Sequence, residues 1–165
     1  MRLLKLQKAL KELVRWKVNK VMDSYPSYLG KSKIAYFRAA ESISALSDHK
    51  CQLGCVVVKN HRIISSGHNS NSRGHGFQKR LDEKFFNDGK SRGCKHAEID
   101  ALLPLIRNRC NLTSATIYIF RKNKSNQFAM ARPCARCMSI IREQGIRKIE
   151  YTTDLGFASE VIKYE

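Results

Sequence analysis

Apolar positions along this chain fall into two rhythms. From Met1 to Met22, Leu3, Leu6, Leu10, Leu13, Val14, Val18 and Val21 recur at spacings of three and four, with bases between them. That period predicts an amphipathic helix with a charged back. Tyr25-Pro26-Ser27-Tyr28 and Gly30 end it, because neither proline nor glycine supports a continuing helix. Residues 1–30 therefore read as a basic N-terminal helix, and residues 31–165 as one folded domain. A second helical pattern carries Ile34, Phe37, Arg38, Ile43 and Leu46 and stops near Ser47-Asp48-His49. The rhythm then changes to β-rich runs at Leu53–Val58 and Arg62–His68. With Lys59-Asn60-His61 as a tight turn between them, they predict an antiparallel hairpin.

Residues 69–95 lack either rhythm. They predict a long loop, with a short helix around Lys79 to Phe86, carrying seven bases, three acids and the interleaved Phe77, Phe85 and Phe86. Such a loop points to function or mobility more than to a packed element. The rest alternates: a helix over 96–108, a strand over Thr116–Phe120, a basic loop at Arg121–Lys124, and a helix over Cys134–Gln144 stopped by Gly145. A strand over Ile146–Tyr151 follows, with a weaker one within Phe157–Tyr164. A hairpin followed by helix–strand alternation predicts a mixed α/β sheet with helices on its faces.

The 165 residues suit one domain. Thirty-one Lys and Arg against 14 Asp and Glu give a formal charge of +17, which favours anionic partners. The first 30 residues contribute seven bases against two acids, so most of the excess lies beyond them. No apolar stretch approaches the ~20 residues of a spanning helix, so no membrane partner is expected. The interrupted apolar pattern of residues 1–22 lacks the uncharged centre of a secretory leader. A cytoplasmic, reducing compartment is therefore expected, and the six cysteines read as thiols or metal ligands before disulfides.

The chemistry concentrates in Cys94-Lys95-His96-Ala97-Glu98 and Pro133-Cys134-Ala135-Arg136-Cys137. Cys134 and Cys137 lie three apart at a helix start, on one side of its first turn, where the helix dipole favours thiolates. With His96 they form a set suited to a tetrahedral zinc, and three protein ligands leave a fourth position open, as in catalytic rather than structural sites. Glu98, two residues past His96, cannot easily reach the same ion. It is placed to move a proton to or from water there.

The combination of H-x-E and P-C-x-x-C is the signature of zinc-dependent nucleobase deaminases. Over roughly Lys31–Thr153 the chain resembles the cytidine deaminase superfamily, in particular its deoxycytidylate, tRNA adenosine and polynucleotide cytosine deaminases. The resemblance implies a three-layer α/β/α fold around a mixed five-stranded sheet and one catalytic Zn2+. It implies His96, Cys134 and Cys137 as ligands and Glu98 as proton shuttle. It further implies the Ala97 amide as the group holding the base carbonyl, and Asn69 as a sugar contact with Asn71 as its rival. Arg132, beside the metal helix, is a candidate phosphate contact. The chain departs from the pattern at Asp100, where many deoxycytidylate deaminases carry asparagine, and at Ala131-Arg132, where vertebrate polynucleotide editors carry Ser-Trp-Ser.

Bases at residues 73–95, 121–124 and 132–136 flank both motifs, which favours cytosine in single-stranded nucleic acid (DNA or RNA) as substrate. The alternative is a free deoxycytidylate or cytidine nucleotide deaminase. Further readings are an adenine deaminase acting on nucleic acid and a nucleic-acid-binding module with a purely structural zinc. Phe77, Phe85 and Phe86 either stack on bases or pin the loop. Cys94 with His75 or His68 is a candidate second zinc site. Cys51 and Cys55 read as buried thiols, Cys110 as a helix-end thiol, and His49 and His61 as turn residues. Homo-oligomerisation stays open.

Overall fold

A computed structural model describes residues 25–72 and 94–163, together with Gly76 and Arg80. The helix expected over the first 22 residues lies outside them, as do Phe77, Phe85, Phe86 and His75. The chain forms two compact units, Met1–Ala35 and Tyr36–Glu165, and helix α1, Lys31–Ser44, runs across that division. The first unit's described part is a 3-10 turn at Ser27–Leu29 leading into α1. The second unit is built on strands β1 (Leu53–Lys59), β2 (Arg62–His68), β3 (Thr116–Arg121), β4 (Lys148–Thr153) and β5 (Gly156–Val161). Helix α2 (Ala97–Arg107) precedes β3, and helix α3 (Ala135–Glu143) lies between β3 and β4. Among the described residues no helix is long and apolar enough to cross a membrane.

The sheet is mixed, in the order β2-β1-β3-β4-β5. Connection length sets the directions. Asn60 and His61, both at positive φ (49° and 60°), close the β1–β2 hairpin, the backbone that a two-residue turn between right-twisted strands requires. The segment from β3 to β4 crosses over through α3, and those strands pair in parallel. Asp154-Leu155 permits only an antiparallel return, so β5 pairs antiparallel with β4. The fifth strand thus lies at Gly156–Val161, at the start of the segment where the sequence placed it.

Alternation along the strands divides the core between two faces. Cys55, Val57, Ile117, Ile119, Ile149 and Tyr151 form one cluster with Ala97, Ala101 and Leu102 of α2 and Met138, Ile140 and Ile141 of α3. On the other face Phe37 of α1 packs on Tyr118 and Phe157, with ring centroids 5.3 and 4.6 Å away. This is the expected three-layer α/β/α arrangement.

Two glycines let helices approach the sheet. A Cβ on Gly54 would lie 1.9 Å from the Ala40 carbonyl oxygen of α1, and one on Gly67 would lie 2.3 Å from the Ala101 nitrogen of α2. Both are backbone atoms that cannot swing aside. Gly67→Ala should therefore cost at least the ~1–3 kcal/mol typical of overpacking and lower the melting temperature by several degrees. Gly76→Ala, whose new methyl meets nothing within 4 Å among the described residues, should not lower it. Paired thermal melts check this, and equal midpoints would contradict the close approach.

Candidate active site

Two helix starts meet at the site. His96 is the extended residue preceding α2, and Cys134 stands in the same position before α3, with Cys137 in the first turn. The loop before α2 is tied to the end of β2 by reciprocal backbone bonds between Ser70 and Lys95, at 3.0 and 2.9 Å. Asp100, where many deoxycytidylate deaminases carry asparagine, fastens the same junction: it pairs with Lys95 at 2.8 Å and accepts from the His68 amide at 3.1 Å. The segment before Cys134 is held by buried Thr152. Its hydroxyl donates to the Ala129 carbonyl at 2.9 Å, and its carbonyl accepts from the Ala131 amide at 2.9 Å.

His96 Nδ1 lies 3.7 Å from Cys134 Sγ and 3.5 Å from Cys137 Sγ. A tetrahedral zinc with Zn–S near 2.3 Å and Zn–N near 2.0–2.1 Å would hold sulfur and nitrogen about 3.5–3.6 Å apart. The three donor atoms therefore fit that ion as they stand. Among the described residues this is the one such group of His, Cys, Asp or Glu. The candidate second site of Cys94 with His68 shows no such grouping there, and its alternative partner His75 lies outside the described residues.

The two thiols share one hydrogen bond, and it pushes them in opposite directions. The bond from Cys137, followed by that from His96, lowers Cys134 to about 4. Cys137 is held well above its usual value by the same bond and by burial. His96 is raised first by its bond to Cys134. The dipoles of α2 and α3 both present their positive ends here, a setting that suits thiolate ligands.

Glu98, in the first turn of α2, is 3% exposed, and burial raises its carboxyl above the usual range, with His96 opposing. It lines a pocket of about 300 Å3 together with His96, Ala97, Cys134, Asn69 and Arg132. Cys137, the third donor, lies deeper at 1% exposed, and Asn71 and His68 do not line this recess. Asn69 is also committed to the scaffold. Its Oδ1 accepts from the Leu53 amide (2.7 Å) and the Ser47 hydroxyl (2.8 Å), and its Nδ2 donates to the Cys51 carbonyl (2.6 Å). Asn71, its rival, instead bonds Asp48. Arg132 is clasped by Glu160 of β5 through two bonds of 2.8 Å.

Several wall residues were not singled out by sequence. His49, Cys51, Arg121 and Met130 line the same pocket. Arg136, counted among the phosphate-facing bases, is instead 6% exposed, with Nη2 3.0 Å from His96 Nε2. Its charge favours the Cys137 thiolate. Its place between two metal-ligand cysteines was the available signal.

Comparisons with known proteins agree with this geometry. Residues 31–153 match the family described as the cytidine and deoxycytidylate deaminase zinc-binding region. The deoxycytidylate deaminase of Saccharomyces cerevisiae is 29% identical over 142 residues, 78% of this chain and 40% of its own length. That of Schizosaccharomyces pombe is 27% identical over 143 residues, 81% of this chain and 41% of its own. The chain thus spans about two fifths of the length of these curated relatives. Among solved structures, a cytidine deaminase from Burkholderia pseudomallei superposes with a TM-score of 0.54 at 16% identity, over 77% of this chain and 90% of that one. A dCMP deaminase from the cyanophage S-TIM5, in complex with dCMP and dUMP, gives 0.51 at 21%, over 72% and 79%. These two likenesses establish the fold.

Proposed function

Because the chain belongs to the cytidine and deoxycytidylate deaminase family, we propose that it hydrolyses the C4 amino group of cytosine in a free nucleotide, consuming water and releasing uracil nucleotide and ammonia. The observation that carries this reading is the convergence of His96, Cys134 and Cys137 at zinc-ligand spacing beside the buried carboxylate of Glu98. Those three side chains would hold the ion, which when bound supplies the acidity that brings water to a pKa near 7. Glu98 then takes a proton from water, gives it to the ring nitrogen N3, and later protonates the departing amine. In this reading the amide of Ala97, which lines the pocket, holds the base carbonyl. Asn69, whose amide still has a second hydrogen to donate, faces the sugar, and Arg132 stands at the rim with its guanidinium already paired to Glu160.

The deoxycytidylate deaminases among the relatives support the nucleotide reading over the polynucleotide one that the charge suggested. The surroundings of several described bases support it too. Lys95 is paired with Asp100, Lys122 with Glu41 and Arg132 with Glu160, while Arg136 is buried against His96. Cations neutralised within the fold are poor candidates for a track along a nucleic-acid backbone. Residues 31–165 act in this reading as the catalytic domain and residues 1–30 as an appendage.

Zinc-loaded protein should release ammonia from dCMP with little change between 50 and 200 mM salt. A cytosine-containing oligonucleotide, assayed in parallel, should be a poor substrate. Product on the oligonucleotide alone, with a steep salt dependence, would restore the polynucleotide reading. No product from dCMP, cytidine or oligonucleotide would remove the deaminase reading altogether.

A further inference from the structure

Strand direction gives the second unit two ends. The metal group lies where α2 and α3 begin. The opposite end gathers the β1–β2 turn, the last turns of α2 and α3, the starts of β3 and β4 and the finish of β5. Arg62, Arg107, Arg109, Arg142, Arg147 and Lys163 stand exposed there, and among the described residues Glu143 is the one exposed acid beside them. Glu150 is buried, and Glu160 is turned to Arg132. The pocket end differs, because Lys95, Lys122 and Arg132 each meet a carboxylate. Much of the exposed positive charge therefore sits away from the chemistry.

Helix ends account for two of the six. Arg107 and Arg142 occupy the last turns of α2 and α3, where cations offset the negative end of the dipole. Arg62, Arg109, Arg147 and Lys163 lie outside the helices. Arg109 is also strained. After α3 the cap Gln144 is followed by Gly145 at φ 74°, whereas after α2 the cap Asn108 is followed by Arg109 at φ 51°. Glycine takes that backbone freely and arginine does not. The Arg109 amide still donates to the Ile106 carbonyl at 3.0 Å, so the guanidinium is presented from a fixed backbone. An exposed residue kept at such a cost points to a function.

We infer that this end docks double-stranded nucleic acid through its phosphates, leaving the pocket at the other end open to its small substrate. Five of the six bases are arginines, whose planar fork suits phosphate oxygens. No Phe, Tyr or Trp stands in the turns gathered there, at residues 60–61, 108–115, 144–147 and 162–163. Unpaired bases would find no ring to stack on, and contact through the backbone alone carries no sequence readout. The nucleic acid is here a support and not a substrate, so the inference stands apart from the choice of cytosine compound.

The test follows a fluorescent 20-base-pair duplex by anisotropy with full-length zinc protein between 50 and 200 mM salt. Arg62→Gln/Arg109→Gln should weaken binding about 10- to 100-fold at 50 mM and flatten the slope of log affinity against log salt by about 2, the share of two phosphates. A second pair, Arg147→Gln/Lys163→Gln, should do the same without touching the Arg109 backbone. All four side chains are exposed, so melting temperature and dCMP turnover should match wild type. Lys50→Gln/Lys124→Gln, exposed bases beside the start of β1 and the end of β3, should bind duplex nearly as wild type does. Excess dCMP should displace none of it. No binding by wild type, equal losses in the Lys50/Lys124 pair, or displacement by dCMP would overturn the inference. So would binding confined to a single-stranded oligonucleotide or to phosphatidylserine vesicles.

Discussion

Replacing Glu98 with glutamine is expected to leave a folded protein with a full complement of zinc and a deamination rate lower by about 10²–10⁴-fold, the usual share of a positioned acid–base group. The side chain is 3% exposed, so the isosteric amide keeps the packing while removing the ability to accept and return a proton. Metal content stays at one ion because the carboxylate lies outside the His96, Cys134 and Cys137 donor set. Stability moves the other way. In the metal-free protein burial raises this carboxyl above its unfolded value. Its ionisation is therefore penalised as pH rises through the raised value, and no penalty exists in acid below the unfolded value. Glutamine escapes the penalty, so the variant's stability relative to wild type should grow from acid towards neutral pH. Metal analysis, steady-state assays and melts across pH check the three parts. A normal rate would remove the proton-shuttle role.

Substituting the cysteines is expected to have the second largest effect and to separate two contributions that coincide in the wild type. Cys134→Ala and Cys137→Ser should both reduce bound zinc to a small fraction of one ion, and both should lose the stabilisation that metal binding adds to folding. Their metal-free stabilities should differ. Cys134 is exposed, whereas Cys137 is 1% exposed within the core cluster that holds Met138, Ile140 and Ile141. Serine at 137 buries a hydroxyl and should cost about 1–3 kcal/mol. Alanine at 134 leaves the core packing intact but removes the acceptor of the Cys137 and His96 bonds, and should cost about 1 kcal/mol. Chemical denaturation with and without chelator reads both terms. Stoichiometric zinc in either variant would contradict the ligand set.

The architecture was legible wherever hydrophobic period and turn chemistry agree locally. The Asn60-His61 turn, the apolar run of β1 and the glycine after α3 each announce their element within a few residues. The metal group was legible for a related reason: its donors sit at fixed short offsets on two helix starts, and only the distance between the helices needed the fold. The pocket wall was not. His49 looked like a turn residue, Cys51 a spare thiol and Arg121 the first base of a loop, because what joins them is the pairing of β1 with β3 and the return of the chain past Asn69. Charge pairing was hidden for the same cause. A count of bases cannot show that Lys122 meets Glu41, 81 residues away, or that Arg132 meets Glu160, 28 residues away. Asn69 was legible as a candidate, but its service to the Ser47–Leu53 loop shows only once that loop is seen to fold over it.

The most direct measurement is a crystal structure of the zinc-loaded protein with anomalous data collected at the zinc edge. It should show one ion on His96 Nδ1, Cys134 Sγ and Cys137 Sγ, with a fourth, non-protein oxygen donor within hydrogen-bonding reach of the Glu98 carboxylate. A fourth protein atom closing the coordination sphere, or Glu98 turned away from that oxygen, would make the zinc structural and leave the chain without a catalytic centre.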